Sequence, residues 1–173
     1  NMKIIDVQMN SINGGSFAVT VCKNFANYSP NDSVINWILD EEKKMRLDTI
    51  EPYKEFAQRV NSHKESLKKL ISSLASDGKK IFGYGASTKG NVMLQYCGFT
   101  EKEIPFIAEV NEEKFGKYTP GTKIPIISET DAEKLKPDYY LVLPWHFREN
   151  ILSREKDFIN RGGKFIFPFP HIE

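Results

Sequence analysis

The sequence predicts an α/β fold: a parallel sheet flanked by helices, preceded by an N-terminal β-hairpin and a long linking helix. Three observations predict it. The stretch Ile81-Phe-Gly-Tyr-Gly-Ala-Ser-Thr-Lys-Gly90 reads as a buried strand, a glycine turn and the start of a helix. From Lys79 onward, short apolar runs alternate with helical patterns, the signature of βαβ units. Before that, Ile50, Tyr53, Phe56, Val60, Leu67, Leu70 and Leu74 recur at three- and four-residue steps, one apolar stripe of a helix that Gly78 ends.

At the N-terminus, residues 3–8 and 16–22 each alternate, and Asn13-Gly14-Gly15 between them is a turn signal. An unpaired edge on that hairpin is expected to seek a partner in the rest of the chain or in a second copy. Asn1 ahead of Met2 leaves open a fragment of a longer chain. Asp32 or Ser33 is suited to cap a short helix carrying Val34, Trp37 and Ile38, and Thr49 to cap the long helix with Pro52 in its first turn. Strands are expected at 81–85, 105–110, 139–143 and 164–167, with a short one at 123–127. Helices are expected at 88–97, 129–135 and 148–161. The division that follows is a hairpin over 1–24, a helical linker over 25–78 and a ligand-binding domain over 79–173.

The chain has 173 residues, 40% hydrophobic, with a net charge of +1, and no basic cluster stands out. That suits one domain with an appendage and argues against nucleic acid as a partner. No apolar run is long enough to span a bilayer, so no membrane partner is expected. Cys22 and Cys97 are too few and too far apart for a disulfide framework or a zinc site, and a reducing, cytoplasmic location fits. Cys97, on the apolar side of a helix, reads as a core residue.

The glycine turn is the first candidate site. Glycines let backbone N–H groups approach a ligand, and a helix N-terminus favours negative charge. Gly85, Ala86, Ser87, Thr88, Lys89 and Gly90 form that cradle, with Ser87 or Thr88 as the cap. It matches neither familiar motif. The dinucleotide fingerprint has Gly83 and Gly85, but its third glycine, Gly90, comes two residues late. A P-loop has Gly85 and Gly90, but Lys89 precedes the glycine and Asn91 follows it. Glu109, about 20 residues on at a strand end, stands where an acid bonds ribose hydroxyls in dinucleotide folds. The loop 117–125 carries Tyr118 and Thr119 on rigid turns; it either lines a polar pocket or only steers the chain back to the sheet. Leu143-Pro-Trp-His-Phe147 leaves a strand at its carboxyl end. Trp145 and Phe147 are suited to stacking on a base or sugar, or to packing on the next helix. His146 is suited to a phosphate, to acid–base work or to capping. These residues alone reach a nucleotide-scale binding domain and no reaction.

Four segments in fixed order carry a resemblance: Gly85-Ala-Ser-Thr-Lys-Gly-Asn91, Gly116-Lys-Tyr-Thr-Pro-Gly-Thr122, Leu141-Val-Leu-Pro-Trp-His-Phe147 and Gly162-Gly-Lys-Phe-Ile-Phe-Pro168. The chain resembles the C-terminal domain of the S-adenosylmethionine-dependent C-methyltransferases that act on nucleotide-linked deoxysugars. Ser11-Ile-Asn-Gly-Gly-Ser16 resembles the stretch that closes the middle domain of that family. The resemblance implies a Rossmann-like domain that binds a nucleotide-linked sugar of the TDP type. It also implies that zinc, the methyl donor and the acid–base residues belong to upstream domains. A base there would deprotonate the carbon beside a sugar ketone, and the enolate would attack the donor methyl group. This chain is then expected to hold no cofactor and no catalytic residue, and to transfer no methyl group alone. Its expected partners are the nucleotide sugar, the upstream methyltransferase domains and, as a further option, a second copy. The resemblance departs after the second strand, where the family shows an Asp and a Pro ahead of Lys-x-Gly. Here Glu109, Glu112 and Glu113 stand around Asn111, ahead of Lys114-Phe-Gly116. Two other readings stay open: a nicotinamide-dinucleotide oxidoreductase domain, and a structural or dimerising domain.

Overall fold

A computed structural model of the chain describes residues 1–12 and 15–173. It is a mixed α/β structure that divides into two compact units, Asn1–Val60 and Asn61–Glu173.

The first unit holds an antiparallel pair, β1 (Met2–Asn10) and β2 (Ser16–Lys23), and the helix α1 (Asp32–Lys44). Of the expected turn, Asn13 and Gly14 lie outside the described residues. Gly15 has a φ of +126°, and its N–H donates to Ile12 O. The register shifts between Ile4 and Asp6, a bulge that leaves the Ile5 carbonyl without a ladder partner. Asn31 N–H donates to that carbonyl, and Asn31 Nδ2 to Asp6. Asn31, not Asp32 or Ser33, therefore sits at the N-cap of α1, and its side chain is spent on β1 rather than on the helix.

The long helix α2 (Glu51–Ser76) spans the boundary between the units. Thr49 does not cap it: the Thr49 hydroxyl donates to Arg46 O in the preceding turn, and the first helical N–H bond runs from Lys54 to Ile50 O. Gly78 ends it as expected, left-handed at φ +74°, with Lys79 N–H returning to Leu74 O. Only the C-terminal part of its apolar stripe reaches a core: Leu67 and Ile71 are fully buried, while Ile50, Tyr53 and Phe56 stay exposed.

The second unit is a five-stranded parallel sheet of β3 (Ile81–Tyr84), β4 (Ile107–Glu109), β5 (Ile126–Ser128), β6 (Tyr139–Val142) and β7 (Lys164–Ile166), in the order β5-β4-β3-β6-β7. Successive side chains alternate between two cores, as a strand requires. Ile81, Ile107, Leu141 and Ile166 pack with α2 and α3 (Thr88–Cys97). Phe82, Tyr84, Ala108, Tyr140 and Val142 pack on the other face with α4 (Glu129–Lys134), α5 (Arg148–Arg154) and α6 (Lys156–Asn160). The single helix expected over 148–161 is thus two. It breaks at Glu155, whose backbone leaves the helical region and whose carboxylate accepts from the Tyr84 hydroxyl. Chain order and spatial order reverse between β3 and β6, so the crevice at their carboxyl ends is where such sheets take ligands.

Candidate functional site

At that crevice lies a cavity of about 480 Å³, lined by the β3–α3 turn, the end of β4, the start of α4, and α5 with the loop before it. Two glycines build the turn. Gly85 has a φ of +76°, and a Cβ there would stand 2.8 Å from Pro144. A Cβ on Gly90 would stand 2.4 Å from Leu143 Cβ, so only glycine lets α3 start this close to β6. Ser87 caps α3 by accepting from Gly90 N–H at 2.9 Å, and Gly98 closes it in the left-handed region.

The donors of the turn are partly spent. Gly85 N–H bonds Ala108 O in the sheet. Ala86 N–H donates to Glu109 Oε2 at 2.8 Å. Glu109 is 6% exposed and accepts four times: Oε2 from Ala86 N–H and Lys114 Nζ, Oε1 from Val110 N–H and Asn111 N–H. Burial alone would raise its pKa. The donors from Asn111, Lys114, Val110 and Ala86 outweigh burial and hold the carboxyl below the usual range. Lys114 Nζ also donates to Ala86 O, so this pair clamps the turn from both its N–H and its C=O side.

The opposite wall carries a network that the sequence reading did not single out. The Tyr84 hydroxyl donates to Glu155 Oε1 at 2.8 Å and accepts from Arg154 Nη2, which also donates to Glu129. Arg154 Nε donates to Glu155 at 3.0 Å. Burial, with the charge of Glu155, raises the Glu129 carboxyl despite Arg154 beside it. Burial and the Glu155 carboxylate push the Tyr84 phenol far above its ordinary range. Phe147, Asn150, Ile151 and Arg154 line the cavity at steps of three and four, one face of α5. Extending that period from Phe147 would have found Arg154. Lys114 and Tyr84 carried no local signal, because their roles depend on partners 28 and 71 positions away.

Of the expected residues, Gly85, Ala86, Ser87, Thr88, Glu109 and Phe147 line this cavity together. Lys89 stands in the first turn of α3. Tyr118 is exposed in a separate depression with Thr100, Lys102 and Lys123. Thr119 is buried, its hydroxyl held by Thr122 and by Ile124 N–H, so it shapes the loop that returns the chain to β5. Trp145 is half-buried against the Phe169 ring, 4.7 Å away, while His146 is exposed and does not cap α5. Cys97 is a core residue whose thiol burial pushes up. Among the described residues no three His, Cys, Asp or Glu side chains gather to hold a metal ion.

The fold is that of a Rossmann-like α/β domain with a cavity at its switch point. Comparison with known proteins specifies which: the family described as the C-methyltransferase C-terminal domain matches residues 11–170, and the chain belongs to it. The chain is similar to the C-methyltransferase NovU of Streptomyces niveus, 36% identical over 169 residues, which is 98% of this chain and 40% of that relative. It thus spans about two fifths of the relative's length.

Proposed function

We propose that this domain binds the nucleotide-linked sugar substrate of an S-adenosylmethionine-dependent C-methyltransferase and does no chemistry alone. The methyl donor, the zinc lobe and the acid–base residues belong, on this reading, to upstream domains. The observation that carries it is the cavity at the β3–β6 switch point, with the N-terminus of a ten-residue helix on one wall and a polar network on the other. A helix start with Ser87, Thr88 and Lys89 favours the diphosphate. Phe147, 53% exposed at the opening, offers a face to a ring. Glu109, with its acceptor positions filled from within, acts as the clamp that shapes the turn. Two free cysteines fit a reducing compartment such as the cytoplasm.

The test is titration calorimetry of the purified chain with a TDP-linked hexose, with NAD, and with S-adenosylmethionine. Binding of the first alone is expected. Lys89→Ala should weaken it roughly tenfold, the worth of about one charge-assisted contact. Preference for NAD would favour an oxidoreductase-type domain, and methyl transfer by the chain itself would overturn the proposal.

The first unit favours an assembly role beside this. Its hairpin leaves Met9, Phe17, Val19 and Val21 exposed, and Phe25 beyond it is 89% exposed. Hydrophobic side chains in such number on a two-stranded ribbon mark a surface that another body covers. We assign that body to the preceding domain, whose closing stretch residues 11–16 resemble. No helix of the described residues is long and apolar enough to cross a membrane.

A further inference from the structure

We infer that Arg154 is a specificity-determining contact: its Nη1 edge reads an uncharged carbonyl on a ring of the bound ligand, not a phosphate. This rests on the reading of the cavity as a nucleotide-sugar site. A guanidinium has five N–H donors. Three are committed here, Nε to Glu155 and both on Nη2, to the Tyr84 hydroxyl and to Glu129. The two on Nη1 bond nothing among the described residues, and the side chain, 49% exposed, lies on the cavity wall.

The hold on Arg154 is unusually complete for a half-exposed arginine. The Tyr84 ring is buried in β3, wedged edge-on against Tyr140 at 5.2 Å and Phe165 at 5.7 Å, so its hydroxyl is a fixed point. Glu155 sits at the break between α5 and α6, and Glu129 at the start of α4, so three separate elements converge on one guanidinium. Its rotamer entropy is spent in folding, which leaves a pre-organised donor edge for a ligand.

Charge then decides which acceptor suits it. Two carboxylates surround one guanidinium, so this wall carries an excess negative charge. A phosphate there would meet that excess at close range and be repelled by it. A neutral carbonyl takes the hydrogen bonds without that penalty. The α3 wall has the opposite character, with the N-terminus of a ten-residue helix at Ser87 and Thr88. The cavity is thus polarised, and a ligand with an anionic diphosphate and an uncharged, carbonyl-bearing ring fits it in one orientation. The ring is the pyrimidine dione of the nucleotide or a keto-sugar; Phe147 and Val110, both exposed on the lining, flank it in either case.

Calorimetry on the full chain tests this with three probes: inorganic diphosphate, thymidine diphosphate and a TDP-linked keto-hexose. In Arg154→Met, a roughly tenfold loss for thymidine diphosphate with inorganic diphosphate unchanged supports the inference and puts the carbonyl on the base. A loss confined to the keto-hexose supports it and puts the carbonyl on the sugar. Equal loss for all three probes, or loss for none, overturns it while the wild-type site stands. A wild-type chain that binds none of the three overturns both this and the function it rests on. Tyr84→Phe, which keeps the ring and removes the anchor, should show the same selectivity at about a threefold loss and serves if Arg154→Met melts early.

Discussion

Glu109 shows how one side chain takes over what a short sequence window ascribes to a ligand. The glycine turn presents an N–H to an anion, and the anion that receives it is the protein's own carboxylate. The pKa of Glu109 is depressed below the ordinary 4.5, so its contribution to stability is full above that pH and is lost as pH falls through the lower, folded value. Glu109→Gln should therefore melt earlier at pH 7 and lose less on acidification below pH 4.5 than the wild type, as pH-dependent thermal denaturation would show. Gly90 is a second position where one atom decides. Gly90→Ala places a Cβ against Leu143, a backbone-proximal atom that cannot swing away. Overpacking of this kind costs about 1–3 kcal/mol, and urea denaturation should read it.

At the scale of the element, α3 is set by its two ends. Ser87 satisfies an orphan N–H at one end, and left-handed Gly98 returns Phe99 N–H to Leu94 O at the other. Ser87→Ala should cost about 1 kcal/mol of stability. Helix α2 behaves differently along its length. Its apolar stripe is continuous in sequence, but burial begins only toward its C-terminal half. Leu67→Ala, at a fully buried position, should cost about 2–5 kcal/mol, whereas Phe56→Ala, at an exposed one, should change stability by less than about 0.5 kcal/mol. A pair of chemical denaturation curves separates these outcomes. The break of the expected helix at Glu155 brings that carboxylate to Tyr84 and Arg154.

On the scale of the whole molecule, hydrophobic residues are distributed unevenly. The second unit buries a core on both faces of its sheet, while no described residue of the first unit is fully buried. A hairpin of two strands has no opposing layer of its own to close against. If a preceding domain supplies that layer, Phe17→Ser, at a position 68% exposed here, should leave the melting temperature of this chain nearly unchanged. The same change should destabilise a longer protein that carries that domain, and differential scanning calorimetry of the two proteins compares them directly.

The local pattern of residues determined the α/β class, the order of elements, the glycine turn and the helix stops at Gly78 and Gly98, because these depend on backbone freedom and on periods of two or 3.6 residues. Four ordered segments were enough to indicate the family. Local pattern could not place Thr49, whose hydroxyl turns back to Arg46, or see that 148–161 is two helices. Nor could it separate Phe147, which lines the cavity, from Trp145, which packs on Phe169. The break of that helix and the placing of Phe147, like the clamp of Glu109 and Lys114 on Ala86 and the hold of Tyr84 on Arg154, belong to the tertiary structure. The clamp and the hold join groups far apart in the chain, and only the folding of the sheet brings their donors and acceptors within hydrogen-bonding distance.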